Sequence, residues 1–88
     1  MEYEWLFTTS LHMKLKERLV GKVFTRVYND ELYVEINTYG NLTFVMYIDD
    51  FANKVQEGWT TDEAVEEIVK KYKSYIINRF FKESSSRI

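Results

Sequence analysis

The chain reads as an α+β fold, a three-stranded antiparallel β-meander packed by helices in the order α-β-β-β-α-α. Three observations predict it. Residues 22–48 alternate apolar and polar side chains with a period of two, in runs parted by turn residues. Residues 59–82 repeat apolar side chains at helical spacing behind a capping signal. Leu11, Leu15 and Leu19 recur every fourth position, which stacks them on one face of a helix.

The first helix lies within residues 2–20, and Gly21 can end it in a left-handed conformation. Its start is open. Thr8, Thr9 or Ser10 can cap it, leaving Trp5, Leu6 and Phe7 as an extended arm, or the helix begins near Glu2 and runs through. The first strand is Lys22–Tyr28. Asn29-Asp30 reads as a two-residue hairpin turn, because both residues tolerate positive φ. The second strand, Glu31–Asn37, puts Leu32, Val34 and Ile36 on one face and Tyr33 and Glu35 on the other. Gly40-Asn41 marks another turn. The third strand, Leu42–Ile48, puts Leu42, Phe44, Met46 and Ile48 on one face and Thr43, Val45 and Tyr47 on the other.

Asp49 or Asp50 is expected to cap a short helix, Phe51–Glu57, stopped by Gly58. Trp59 precedes the last helix and can staple onto Ala64. Thr60 with Glu63 forms a capping box. Val65, Ile68, Val69, Tyr72, Tyr75, Ile76 and Phe80 then make the apolar stripe, with acids in the first turns and bases in the last. The simplest packing lays the first and last helices on the Leu32/Val34/Ile36 face of the sheet. The opposite face then shows Tyr33, Glu35, Thr43, Tyr47 and one alternating set from the first strand.

With 88 residues, the chain is one domain, assigned to residues 1–82, and the Ser-rich residues 83–88 are a flexible tail. A chain of this size buries roughly 60–65% of its unfolded surface, enough for one core and too little for a deep walled active site besides. Cysteine is absent, which excludes disulfides, thiolate chemistry and Cys-based zinc sites, and agrees with a reducing compartment. No run of 18 apolar residues and no signal-peptide pattern is present, so a cytoplasmic protein away from membranes is expected. The net charge of −2 does not favour general attraction to nucleic acid or anionic lipid.

Candidate chemistry is sparse. His12 is the only histidine and has no obvious nucleophile or base partner, so no catalytic site is assigned. Asp49, Asp50 and Glu57 are carboxylates of the kind a divalent cation takes, but helix capping explains the aspartates more simply, and no metal or cofactor is expected. Tyr47-Ile48-Asp49-Asp50 matches a short string found in reverse transcriptases. There it belongs to a far larger catalytic domain, so the match is read as chance.

Two charged patches stand out. Asp49, Asp50, Glu57, Asp62, Glu63, Glu66 and Glu67 form an acidic surface able to imitate phosphates and occupy a basic groove. Lys14, Lys16, Arg18, Lys22 and Arg26 form a basic one, the alternative site for RNA or single-stranded DNA. The α-β-β-β-α order resembles the double-stranded-RNA-binding domain, but that family carries lysines at the start of its final helix where this chain has Asp62, Glu63, Glu66 and Glu67. Tyr3, Trp5, Phe7, Tyr28, Tyr33, Tyr39 and Tyr47 exceed what a small core needs. Tyr33 and Tyr47 are therefore candidate binding anchors. Ile77 and Phe81 lie off the main stripe of the last helix and mark a surface for a partner or, with Phe80, for a homodimer.

The passage from the third strand into Asp-Asp-Phe, a short helix ending in Gln-Glu-Gly, and Thr-Thr-Asp-Glu-Ala-Val-Glu-Glu-Ile-Val-Lys-Lys-Tyr has a distinctive rhythm. Over about residues 42–76 it resembles small uncharacterised proteins of Gram-positive bacteria and their phages. That resemblance implies a mobile-element accessory protein and no mechanism. It adds an expectation to the reading of the residues: a non-enzymatic, protein-binding inhibitor of a host nucleic-acid-handling or defence enzyme, as anti-CRISPR proteins are.

Overall fold

The computed structural model describes residues 2–38 and 42–86, with side-chain surroundings for 4–38 and 42–79. The elements are α1 (Glu2–Arg18), β1 (Lys22–Tyr28), β2 (Glu31–Thr38), β3 (Leu42–Ile48), α2 (Phe51–Gln56) and α3 (Thr61–Ser86). The strands form one antiparallel sheet in the order β1-β2-β3, so the fold is α+β with the expected succession of elements. The turn expected at Gly40-Asn41 lies outside the described residues, as do the side chains of Tyr3, Tyr39, Phe80 and Phe81.

Of the two possible starts for α1, the structure takes the earlier. The helix runs unbroken through Thr8–Ser10, and the Thr8 hydroxyl bonds back to the Glu4 carbonyl instead of capping a new helix. Trp5 and Leu6 are therefore helical and exposed, while Phe7 enters the core. Gly21 departs from the expected left-handed helix cap. Its φ is +132°, and a Cβ there would stand 2.3 Å from the Asn37 carbonyl oxygen, so the glycine is required by the close approach of β2.

Asn29 and Asp30 have φ of 52° and 59°, the double positive φ of a type I′ hairpin turn. That turn also organises α2. The Phe51 N–H donates to the Asp30 carbonyl at 3.1 Å, and the Ala52 N–H donates to Asp30 Oδ1 at 2.8 Å. This corrects the expected cap. Asp50 occupies the N-cap position in a left-handed conformation, φ 57°, and its side chain makes no capping bond; Asp30, remote in sequence, supplies one. At the other end, Gly58 N–H bonds to the Val55 carbonyl and Trp59 N–H to the Lys54 carbonyl, a Schellman ending.

The capping box of α3 is present. Glu63 N–H donates to Thr60 Oγ1 at 3.1 Å, and Thr60 N–H donates to Glu63 Oε1 at 3.2 Å. The helix passes the expected end at Lys82 and reaches Ser86, with no glycine or proline after Gly58 to stop it.

The core lies on one face of the sheet. Val23, Leu32, Val34, Ile36, Phe44, Met46 and Ile48 point into it from the strands. Phe7, Leu11 and Leu15 of α1 and Ala64, Val65, Ile68 and Val69 of α3 cover them. Phe51 closes one end, edge-on to Phe7 with ring centroids 5.2 Å apart, and Trp59 stacks on Phe7 at 5.3 Å. With both helices on one side, the other face of the sheet is left uncovered by them.

Candidate functional site

The two-residue turn fixes the register so that Tyr28 faces Glu31, Arg26 faces Tyr33 and Phe24 faces Glu35. From β3, Tyr47 stands beside Tyr33 and Val45 beside Glu35. Since side chains alternate along a strand, these residues share the face that the helices leave open. Phe24 is 52% exposed, Tyr28 67%, Tyr47 59% and Val45 41%. Large apolar groups at this exposure cover a sheet face that in a free-standing domain is more usually polar.

The polar groups among them are held in place. Tyr33 Oη donates to Glu35 Oε1 at 2.5 Å, and Asn37 Nδ2 donates to Glu35 Oε2 at 2.8 Å. Thr43 Oγ1 in turn donates to Asn37 Oδ1 at 2.7 Å. Both oxygens of Glu35 are thus engaged, so its charge is fixed near the middle of the face. The hydrogen bonds from Tyr33 and Asn37 hold the Glu35 carboxyl below its ordinary pKa. The bond to Glu35 correspondingly raises the Tyr33 hydroxyl above its own. The Tyr33 and Tyr47 rings meet edge to face at 5.3 Å, and the Arg26 guanidinium carbon lies 6.0 Å from the Tyr28 ring centroid.

At the end of the face Glu31 lies against Asp49. A hydrogen bond between the two carboxyls, then burial and mutual repulsion, raise the Glu31 pKa. Phe24, Arg26, Tyr28, Glu31, Tyr33, Glu35 and Tyr47 line a shallow concavity of about 570 Å³. It sets aromatic faces beside a fixed carboxylate, with an acidic rim at Glu31 and Asp49, an arrangement chemically able to hold cationic side chains.

The charged patches read from the sequence are arranged differently from a pair of separate surfaces. Lys14 Nζ bonds to Asp62 Oδ1 at 2.8 Å and to Thr61 Oγ1 at 2.6 Å, and Arg18 Nη1 bonds to Glu66 Oε1 at 2.7 Å. The two patches therefore neutralise part of each other along the α1–α3 seam, and Glu63 is engaged in its capping box. Lys22 and Arg26 belong to the open sheet face, whereas Lys14 and Arg18 face α3, so the five basic residues do not form one patch. Lys16 and Glu67 are exposed on the helices; Asp50 and Glu57 flank α2, with Asp49 beside the sheet. Ile77 is 52% exposed, beyond the part of α3 that meets the core, and Phe81 lies outside the described side chains.

Of the site residues expected from the sequence, Arg26, Tyr33, Tyr47 and Asp49 come together. Phe24, Tyr28, Glu31 and Glu35 join them. Alternation alone did not say which set from β1 faced outward; the turn register decides it, through the pairing of Tyr28 with Glu31. His12 is half-buried on α1 beside β1, without a catalytic neighbour among the residues around it.

Among the described residues, no group of three or more His, Asp or Glu is placed to hold a metal ion. No helix among them is long and apolar enough to cross a membrane. Comparison with protein families, with characterised proteins and with solved structures finds no significant match.

Proposed function

We propose that this chain is a non-enzymatic, cytoplasmic protein-binding module that presents its open sheet face to a basic surface of another protein. The observation that carries this reading is the exposed Phe24–Tyr28–Tyr47 aromatic set built around the hydrogen-bonded Glu35 carboxylate. Tyrosines give large contact area with few rotatable bonds, and a carboxylate already oriented loses little further freedom on binding. Arginine and lysine side chains suit both elements, through ring faces and through charge-assisted hydrogen bonds. Basic grooves of this chemistry are common on enzymes that handle nucleic acids. The acidic rim at Glu31 and Asp49 supports the reading of the chain as a phage-type inhibitor of such an enzyme, with anti-CRISPR activity as one form of it.

The test is capture by the immobilised chain from a bacterial lysate, in nuclease-treated and untreated halves, alongside a Tyr28→Ala/Tyr47→Ala variant. The expected result is a basic protein held in both halves by the wild type and lost by the variant. Retention only without nuclease would move the same face to nucleic acid, with Arg26 and Lys22 as its phosphate contacts. Equal capture by wild type and variant would remove the sheet face from consideration.

A further inference from the structure

β1 is an edge strand, and its unpaired side borders α1. The other sheet edge differs: the Tyr75 hydroxyl of α3 donates to the Thr43 carbonyl of β3 at 3.1 Å. Which β1 groups point outward follows from the turn. A two-residue turn makes its flanking residues, Tyr28 and Glu31, a hydrogen-bonded pair. Arg26, Phe24 and Lys22 then bond to β2 by alternation. The backbone N–H and C=O groups of Val23, Thr25 and Val27 point away from the sheet, and such a row is a template for another strand.

We propose that a second copy of this chain occupies that edge, with β1 pairing antiparallel to β1 across a two-fold axis at Thr25. The sequence is self-complementary in this register. Thr25 meets Thr25, and Val23 meets Val27, as the hydrogen-bonded pairs on the core side. Phe24 meets Arg26, and Lys22 meets Tyr28, as the closer non-hydrogen-bonded pairs on the open face. Each cation therefore lies opposite an aromatic ring, and no like charges are directly opposed. One register matches all four kinds of pair. A slip by one residue would set core-side groups against the open face.

The surroundings suit the same axis. A groove of about 530 Å³ runs beside β1, walled by exposed Trp5 and by Thr8, Thr9 and His12 of α1. Its α1 wall is centred on Thr8, with Glu4 and His12 a helical turn to either side. A two-fold there turns Glu4 of one copy toward His12 of the other. The pairing would also join two open faces into one six-stranded surface, doubling the aromatic set. It does not depend on that face having a protein partner.

The experiment is sedimentation equilibrium on the full chain over a concentration series, with amide hydrogen exchange at the two ends of the series. The expected result is twice the chain mass at high concentration, with the amides of Val23, Thr25 and Val27 becoming protected as the dimer forms. Phe24→Lys, which sets two cations opposite each other, should weaken dimerisation at least tenfold. Phe24→Glu, which sets Glu opposite Arg26, should retain it. Thr25→Pro should abolish it, since the lost N–H serves only the outer edge. The two Phe24 variants change an exposed side chain and keep the test decisive if the proline variant fails to fold. A wild type that stays monomeric would overturn the proposal. So would a dimer in which those three amides stay unprotected or both Phe24 variants match the wild type, which would place the interface elsewhere.

Discussion

The inner face of the sheet carries Val23, Leu32, Val34, Ile36, Phe44, Met46 and Ile48, all buried beneath α1 and α3. The outer face carries Phe24, Arg26, Tyr28, Tyr33, Glu35 and Tyr47, from the same strands one residue out of step. The inner set is aliphatic apart from Phe44 and is held by burial. The outer set is aromatic and polar, and hydrogen bonds linking Tyr33, Asn37 and Thr43 to one another through Glu35 and Asn37 position its centre. On the proposed reading such a division separates stability from recognition: substitutions inside should unfold the chain, and substitutions outside should leave it folded and change what it touches.

The largest expected effect is inside. Phe51→Ala removes a fully buried ring and should cost about 3–5 kcal/mol in urea unfolding. Tyr47→Ala on the outer face should cost less than about 1 kcal/mol. Comparable losses would mean that the outer face also holds the fold. Next comes Gly21→Ala, which forces a side chain into a positive φ and against the Asn37 backbone. A loss of about 1–3 kcal/mol is expected, and an unchanged midpoint would show that β2 has room to yield.

Smaller still is the cap of α2. Asp30→Ala should cost about 1 kcal/mol, because Asp30 bonds the Ala52 N–H. Asp50→Gly should be neutral or slightly stabilising, because a non-glycine residue sits there in the left-handed region without a capping bond. The opposite ranking in a thermal melt would return the cap to Asp50.

The smallest effects are the titrations on the outer face. Glu35 has a folded pKa below its unfolded value, so its contribution is present above the unfolded value and lost as pH falls through the folded one. Glu31 has a folded pKa above its unfolded value, so its contribution is present below the unfolded value and lost as pH rises through the folded one. Carboxyl NMR should therefore show Glu35 titrating below Glu31. Tyr33→Phe should move Glu35 upward and leave Glu31 in place. A Glu35 that does not respond would break the hydrogen-bonded centre of the face.

Much of this fold was legible in sequence because its signals are local. Strict alternation set the strands, and the Asn29-Asp30 turn and the Thr60/Glu63 box carry their chemistry within a few residues. What the sequence left hidden depends on contacts between distant residues. Asp30 caps a helix 22 positions away, and Gly21 is needed because β2 passes over it. Lys14 and Arg18 find Asp62 and Glu66 only once α1 lies against α3, so patches that look separate in sequence become a seam. Such exposed pairs contribute about 0–1 kcal/mol each and leave little trace in local pattern. Alternation alone put Tyr33, Glu35 and Tyr47 on one face, while Phe24 and Tyr28 of β1 needed the register to join them.

The measurement that tests the central claim most directly sets the Tyr28→Ala/Tyr47→Ala variant beside the wild type in two assays on the same preparation. One is urea unfolding; the other is capture of a basic protein from nuclease-treated lysate. The separation of faces predicts a nearly unchanged unfolding midpoint together with loss of the captured protein. An unfolding loss as large as that of Phe51→Ala, or capture equal to the wild type, would contradict it.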